Sequence, residues 1–517
     1  MKKTLATMLI MAALTSCGSR VTTVMVIPEP ASVSLSGKTV AADALLSISA
    51  PSDLALEAQV LADGLSREAG MECRMASRGR VRLSIDGSMG EEEYGLKVSR
   101  HSVVLRGGSA KAVYYGVQTM LQELRSYDGC LMCGTIKDSP RYAWRGFMVD
   151  ESRHFFGEEK IRQTLDMMAS CKLNRFHWHL TDAPGWRIEI KSHPELTSIG
   201  SIGCHTDPEA PSAFYTQEQI RDIVAYAAER HIDVVPEIDM PGHASSATRA
   251  YPELAAGDAG SFTYNPGKPE VYSFLRDVLS EVAGLFPYEY LHIGGDEVFM
   301  GSGKWAEDPY IKALMEREDI ADIKGVEAYF LRQIAPVVDS LGRKMTAWDD
   351  ILELGSGKCG ETLTWWRQER PDHLYQGLRD GYELILCPRL PLYFDFVQDE
   401  THTSGRRWKG GVFCPMDSVY VFPDRILDAW GDAEASQDAI LGIQANLWSE
   451  VVRTMERYDF MTYPRIFALA EAAWTSADNK DFESFSKRLE PIYELMDELG
   501  IFYCDYRDIS KHPEPKI

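Results

Sequence analysis

The sequence predicts an α/β fold: a (β/α)8 barrel of the TIM type, preceded by a small α+β domain. Three observations predict it. From residue 142 onward, short apolar segments alternate with amphipathic stretches of helical period. The first 140 residues lack that alternation. Acids, histidines and tryptophans recur just after the apolar segments, at the strand ends where such a barrel carries its chemistry.

The chain has 517 residues, enough for two or three domains, and its 45% hydrophobic and 25% charged residues are a globular balance that excludes disorder. A net charge of −23 repels phosphate, so nucleic acid and anionic lipid surfaces are not expected partners. Lys2 and Lys3, the apolar run 4–14 and the sequence Leu14-Thr15-Ser16-Cys17 resemble an export signal with a lipobox. In such a signal Cys17 becomes the lipid-modified first residue. The apolar run is too short to span a bilayer, so the lipid would be the sole membrane attachment. The expected division is a lipoprotein signal peptide over 1–17, the small α+β domain over 18–140, the barrel over 141–480, and a C-terminal helix and tail over 481–517. The expected location is the bacterial envelope, exported, facing the periplasm or displayed on the cell surface. With Cys17 set aside, nine of the ten cysteines remain, without a regular framework, and only Cys130 and Cys133 are spaced for a local bridge.

Periodicity places helices at 54–69 and 110–125 in the first domain, with strands at 80–85 and 94–105. The barrel strands read as 146–152, 175–181, 232–238, 290–296, 344–348, 361–366, 383–387 and 440–448. Helices fit at 158–171, 216–230, 269–285, 325–341 and 463–474. None is legible between the fifth and sixth strands, where 352–360 is short and glycine-rich. A last helix is expected over 482–499.

The strand ends carry the candidates. Asp150 and Arg153 follow the first strand, and His177, His179 and Asp182 end the second. Glu237, Asp239 and His243 end the third, and Asp296 with Glu297 the fourth. Trp348, Asp349 and Asp350 belong to the fifth, Trp365 and Trp366 to the sixth, Tyr393 and Asp395 to the seventh, and Trp448 with Glu450 to the eighth. Indoles offer flat apolar walls and charged groups bond hydroxyls well, and a sugar needs both. A carboxyl pair suits cleavage of a glycosidic bond. Adjacent acids on a strand point to opposite sides, so Asp296 and Glu297 share a site only at a strand end. Residue by residue, Glu237 also reads as a barrel-layer group paired internally, and Asp349 and Asp350 as helix caps.

His292-Ile293-Gly294-Gly295-Asp296-Glu297 resembles the signature of glycoside hydrolase family 20, the β-N-acetylhexosaminidases. Four further stretches agree in order: Arg145-Gly-Phe-Met-Val-Asp-Glu-Ser-Arg-His-Phe155, Phe176-His-Trp-His-Leu-Thr-Asp182 with Trp186-Arg187, Pro236-Glu-Ile-Asp-Met-Pro-Gly-His243, and Asn446-Leu-Trp-Ser-Glu450. The chain departs at Phe394, where the family often has Leu, and in the irregular region 401–411. The resemblance implies an exo-acting enzyme that removes terminal β-linked N-acetylhexosamine from a glycan with retention, the substrate's own acetamide serving as nucleophile, without metal or organic cofactor. It implies Glu297 as acid and then base, with a raised pKa, and Asp296 as the partner of the acetamide N–H. Tyr393 would donate to the acetamide oxygen, and Trp348, Trp366 and Trp448 would enclose its methyl group. Arg153, Asp395 and Glu450 would bind the outer hydroxyls. His179 and His243 would stand behind them or on the leaving-group side, with Asp239 orienting His243.

Two rival readings remain. His177-x-His179 puts two imidazoles on one face of a strand, so a metal-dependent barrel hydrolase is one. A non-catalytic glycan-binding lipoprotein is the other, although a binder has no need of an acid.

Overall fold

The computed structural model describes residues 24–355, 359–360, 362–407, 411–429 and 437–516; Cys17 and the signal segment lie outside them. Among the described residues no helix is long and apolar enough to cross a membrane. The described residues form two compact units, one of 24–26 with 30–139 and one of 27–29 with 140–516.

The first unit is a mixed sheet of β1 (Ser32–Ala41), β2 (Ser47–Ser49), β3 (Arg74–Met75), β4 (Val81–Ile85), β5 (Tyr94–Val98), β6 (Val103–Gly107) and β7 (Cys130–Asp138). Their order is β1-β7-β5-β6-β4-β2-β3. Helix Ala110–Ser126 buries Val113, Val117, Met120 and Leu124, a stripe of helical period. The single strand expected over 94–105 is a hairpin of β5 and β6, antiparallel from Tyr94↔Gly107 to Val98↔Val103. Its turn is closed by Ser99 and Ser102, without the glycine or proline that marks most turns in a sequence. Cys130 and Cys133 are both free. They lie three apart on β7, so their side chains leave opposite faces and no bridge forms.

The second unit is a closed parallel barrel of β8 (Trp144–Asp150), β9 (Arg175–His179), β10 (Asp233–Glu237), β11 (Tyr290–His292), β12 (Lys344–Trp348), β13 (Thr362–Trp365), β14 (Glu383–Leu386) and β15 (Ile440–Leu447). β15 closes onto β8, from Gly442↔Trp144 to Leu447↔Val149. The register sets Asp150, His179, Glu237 and His292 at one level. Helices Glu158–Ser170, Gln217–Ala228, Pro269–Leu285 and Ile323–Ser340 cover the first half. Between β12 and β13 the described residues hold only the 3-10 turn Asp349–Leu354, as the glycine-rich sequence predicts. Helix Pro371–Arg379, unpredicted, connects β13 to β14. The last helix is broken into Phe482–Arg488 and Glu490–Glu498, because Pro491 has no N–H to continue the ladder.

Candidate active site

The decisive local feature is where β11 stops. The regular strand ends at His292 rather than running to 296, and Gly294 (φ +69°) and Gly295 (φ +89°) turn the chain into a conformation that favours glycine. A Cβ at Gly294 would lie 1.8 Å from Asp239 Oδ1, so no side chain fits there. Glu297 itself has φ +52°. The two acids have thus left the strand before its alternation applies, and both line one pocket. His243 stands between them, its Nε2 3.6 Å from Asp296 Oδ2 and 3.6 Å from Glu297 Oε2.

Behind these groups runs a buried line of alternating acids and imidazoles. His243 Nδ1 is 2.9 Å from Asp182 Oδ1, and Asp182 Oδ2 meets His179 Nε2 at 3.0 Å and Arg153 Nη2 at 2.7 Å. His179 Nδ1 reaches Glu237 Oε2 at 2.6 Å. Glu237 also meets His177 at 2.9 Å and His292 at 3.1 Å, and accepts the Trp348 indole N–H at 2.8 Å. Asp182, not Asp239, therefore orients His243. Asp182, three positions after the last residue of β9, reaches across, whereas Asp239, two positions after the last residue of β10, lies folded against Gly294. Glu237 takes the internally paired role and lies below the pocket.

The charges follow from these contacts. Burial works against ionisation of Asp182, but Arg153, His243 and the His179 hydrogen bond outweigh it and hold the carboxyl well below its usual range. Burial pushes the Asp296 carboxyl up, with His243 opposing and Asp350 and Glu297 adding to the rise. His243, 3.6 Å away, holds Glu297 below the usual range. The shifts thus run upward on Asp296 and downward on Glu297, opposite to the raised Glu297 that the family resemblance implies. Burial weighs more on Asp296, whose side chain is 12% accessible, than on Glu297 at 33%.

The aromatic wall is made by Trp366, Tyr393 and Trp448. Trp366 and Tyr393 stack at 6.2 Å with their planes 12° apart, and Tyr393 lies 6.0 Å from Trp448. Trp365 points the other way and bonds the Arg370 carbonyl. Trp348 is buried beneath Trp448, 5.8 Å between rings, and faces Glu237 rather than lining the pocket. Asp350 is no simple cap: it accepts the Trp366 indole N–H at 2.8 Å and the Glu297 backbone N–H at 3.4 Å. Asp349 instead binds Arg367 and His373.

On the far side, Arg153 stacks 5.0 Å above Trp448, and Glu450 lines the wall beside it. Asp395 is wholly buried under Arg406, whose Nε lies 2.8 Å from Asp395 Oδ2 and whose Nη2 lies 3.0 Å from Glu450 Oε1. Arg406 and Arg389 both line the pocket and were not among the sequence candidates. Arg389, 4.7 Å over the Trp366 ring, follows the seventh strand end closely enough for the strand-end rule to have found it. Arg406 carries no local signal.

Three sets of these side chains are close enough to hold a cation: His177, Glu237 and His292; His179, Asp182 and Asp239; Asp239, His243 and Asp296. In the first two, histidine and carboxylate bond one another directly.

The model of the glycosyl hydrolase family 20 catalytic domain matches residues 142–477, and that of the family's domain 2 matches 23–139. A beta-hexosaminidase of Porphyromonas gingivalis is 37% identical over 473 residues, 86% of this chain, which spans 60% of that protein's length. A beta-N-acetylhexosaminidase of Cellulomonas fimi is 32% identical, over 89% of this chain and 91% of its own. The crystal structure of an exo beta-N-acetylglucosaminidase from Vibrio harveyi, in complex with N-acetylglucosamine, superposes with a TM-score of 0.84 at 31% identity, covering 95% of this chain and 80% of that one. Paired acids on a glycine turn, an aromatic wall and this likeness along both units agree: the chain belongs to glycosyl hydrolase family 20.

Proposed function

We propose that this protein is an exo-β-N-acetylhexosaminidase that hydrolyses terminal non-reducing N-acetylhexosamine from glycans with retention of configuration. The observation that carries this reading is the convergence of Asp296 and Glu297 on one pocket that Tyr393, Trp366 and Trp448 also line. One carboxyl partners the acetamide N–H while the other faces the leaving oxygen. The acetamide oxygen, held by the Tyr393 hydroxyl, attacks the anomeric carbon of its own sugar, and Glu297 protonates the departing oxygen. An oxazolinium-like intermediate forms, which Asp296 stabilises. Glu297 then takes a proton from water as that water opens the ring. Trp366 and Trp448 enclose the acetamide methyl, with Trp348 as the floor beneath.

This role needs the proton on Glu297, whereas the electrostatics favour Asp296. Substrate itself resolves the conflict. A bonded acetamide N–H favours the ionised form of Asp296, and a covering sugar withdraws water from Glu297 and disfavours its charge. His243, 3.6 Å from both carboxyls and anchored by Asp182, lies on the path between them. Arg153, Asp395 and Glu450 take the outer hydroxyls.

Release of a chromogenic aryl group from N-acetyl-β-glucosaminide tests the reading, and absence of turnover on both the gluco- and the galacto-configured substrate would overturn it. In the same reading the protein is exported and lipid-anchored through Cys17. Radiolabelled palmitate should enter the wild type and not Cys17→Ala, and equal labelling of the two would remove the anchor.

A further inference from the structure

The outer pocket wall is built by segments far apart in the chain. The backbone of Arg406 pairs beside Asp395–Val397: its N–H bonds the Asp395 carbonyl, its carbonyl accepts from Val397, and Phe396 and Arg406 form a parallel bridge. Its guanidinium then spans the two outer carboxylates, Asp395 at 2.8 Å and Glu450 at 3.0 Å. Asp395 needs that partner. The groups facing it are Arg406, Glu450, Arg465 and the Cys414 thiol, and Arg465 directs its guanidinium to the carbonyls of Phe394, Phe396 and Cys414. Burial pushes the Asp395 carboxyl up to about 7, with Arg406 the largest opposing influence.

What holds Arg406 there is the segment 505–516. Glu514 accepts the Thr403 N–H at 2.6 Å and the Ser404 N–H at 3.0 Å, and pairs with Arg457 Nη1 at 3.0 Å. Arg457, 1% exposed, bonds the Ser404 carbonyl and the Pro515 carbonyl as well. Tyr506 donates to Gln398 Oε1 at 2.8 Å, a second tie to the same loop. Between them Gly405 takes φ +123°, and a Cβ there would meet Arg457 Nη2 at 2.5 Å. The loop is thereby fastened on both sides of the segment that aims Arg406.

We propose that Arg406 is a positioning residue of the sugar site, holding the Asp395 and Glu450 carboxyl groups in place at its outer wall, and that Glu514 latches the loop that carries it. This rests on the hexosaminidase reading above. Among the described residues Glu450 Oε2, on the pocket wall, and Asp395 Oδ1, buried behind Arg406, have no hydrogen-bond partner, so Arg406 is the group that ties both carboxyls to the pocket.

The test uses the full chain and an aryl N-acetyl-β-glucosaminide, with KM and kcat followed against pH. Arg406→Gln should raise KM about tenfold with kcat changed less than about threefold, because charge-assisted bonds to the sugar are weakened while the acid pair is untouched. Losing the cation lifts the Asp395 pKa, so the acidic limb of kcat/KM moves to higher pH, and Arg406→Lys should restore much of both. Glu514→Gln should raise KM about threefold and add nothing in the Arg406→Gln background, since both act through one contact. Amide hydrogen exchange at Thr403 and Ser404 should be slow in the wild type and fast in Glu514→Gln. An active wild type with unchanged KM in Arg406→Gln overturns the positioning role, and additive effects in the double variant overturn the latch. Wild-type exchange at those two amides as fast as in unstructured peptide overturns it with no variant needed. A wild type inactive on the glucosaminide removes the hexosaminidase reading and the sugar role of Arg406 with it, while the exchange result still decides the latch.

Discussion

The two walls of the pocket are made in different ways. The inner wall, Asp296, Glu297 and His243, stands at strand ends and is backed by the buried line Asp182, His179 and Glu237. Each member of that line has two or more polar partners, so moving one breaks several charge-assisted bonds. The outer wall, Asp395, Arg406 and Glu450, rests on a loop fastened by backbone hydrogen bonds to Glu514, which pairs with Arg457, far along the chain. A group that must exchange a proton at a fixed geometry gains from the first construction. A group that need only accept hydroxyls tolerates the second, and there a loop substitution alters substrate choice without dismantling the acid pair.

The comparison breaks most directly at Glu297. Glu297→Gln should lower kcat about a thousandfold on substrates with poor leaving groups and much less on activated aryl leaving groups, which depart without a proton. Equal losses on both would take the acid role from Glu297. Asp296→Asn comes next, with a loss of about a hundredfold on N-acetylated substrates from a weakened hold on the intermediate. An equal loss on substrates lacking the acetamide would contradict its pairing with that group.

The rigidity of the inner wall is tested beneath it. Burial raises the Glu237 pKa, but His292, His179 and the remaining partners outweigh burial and hold it well below its usual range. Its charge therefore stabilises the barrel above the unfolded carboxylate pKa of about 4.3. That contribution disappears as pH falls through the lower folded value. Glu237→Gln should cost about 3 kcal/mol near neutral pH, with the gap to wild type narrowing in acid, as followed by denaturant unfolding. A gap independent of pH would mean that the charge of Glu237 is not what matters. The smallest effect should come from Trp366→Phe, which keeps an aromatic face but removes the indole N–H from Asp350. A KM rise of a few fold, about 1 kcal/mol, is expected. A large fall in kcat instead would show that Asp350 holds Glu297 through this contact.

How much of this was legible depended on distance along the chain. The barrel was written in alternating periods, and the strand-end rule located the acids, the aromatic wall and Arg153. The hairpin at 99–102 and the break at Pro491 were missed for opposite reasons. The hairpin has no turn residue to announce it, and the helix keeps its apolar stripe across the proline. Asp239 was mistaken for the orienting acid because spacing of four suggests neighbourhood, whereas Asp182 arrives from another strand.

By itself, the sequence determined the barrel, its small companion domain, and the residues gathered at the strand ends. These depend on local period and on glycines whose conformations few other residues adopt. Tertiary structure alone decided that burial weighs more on Asp296 than on Glu297, that Trp348 faces inward to Glu237, and that Arg406 joins the outer wall with Glu514 against the loop behind it. Those outcomes depend on burial and on charges brought together from distant segments, and Coulomb energies depend on separation in space, which a linear order does not contain.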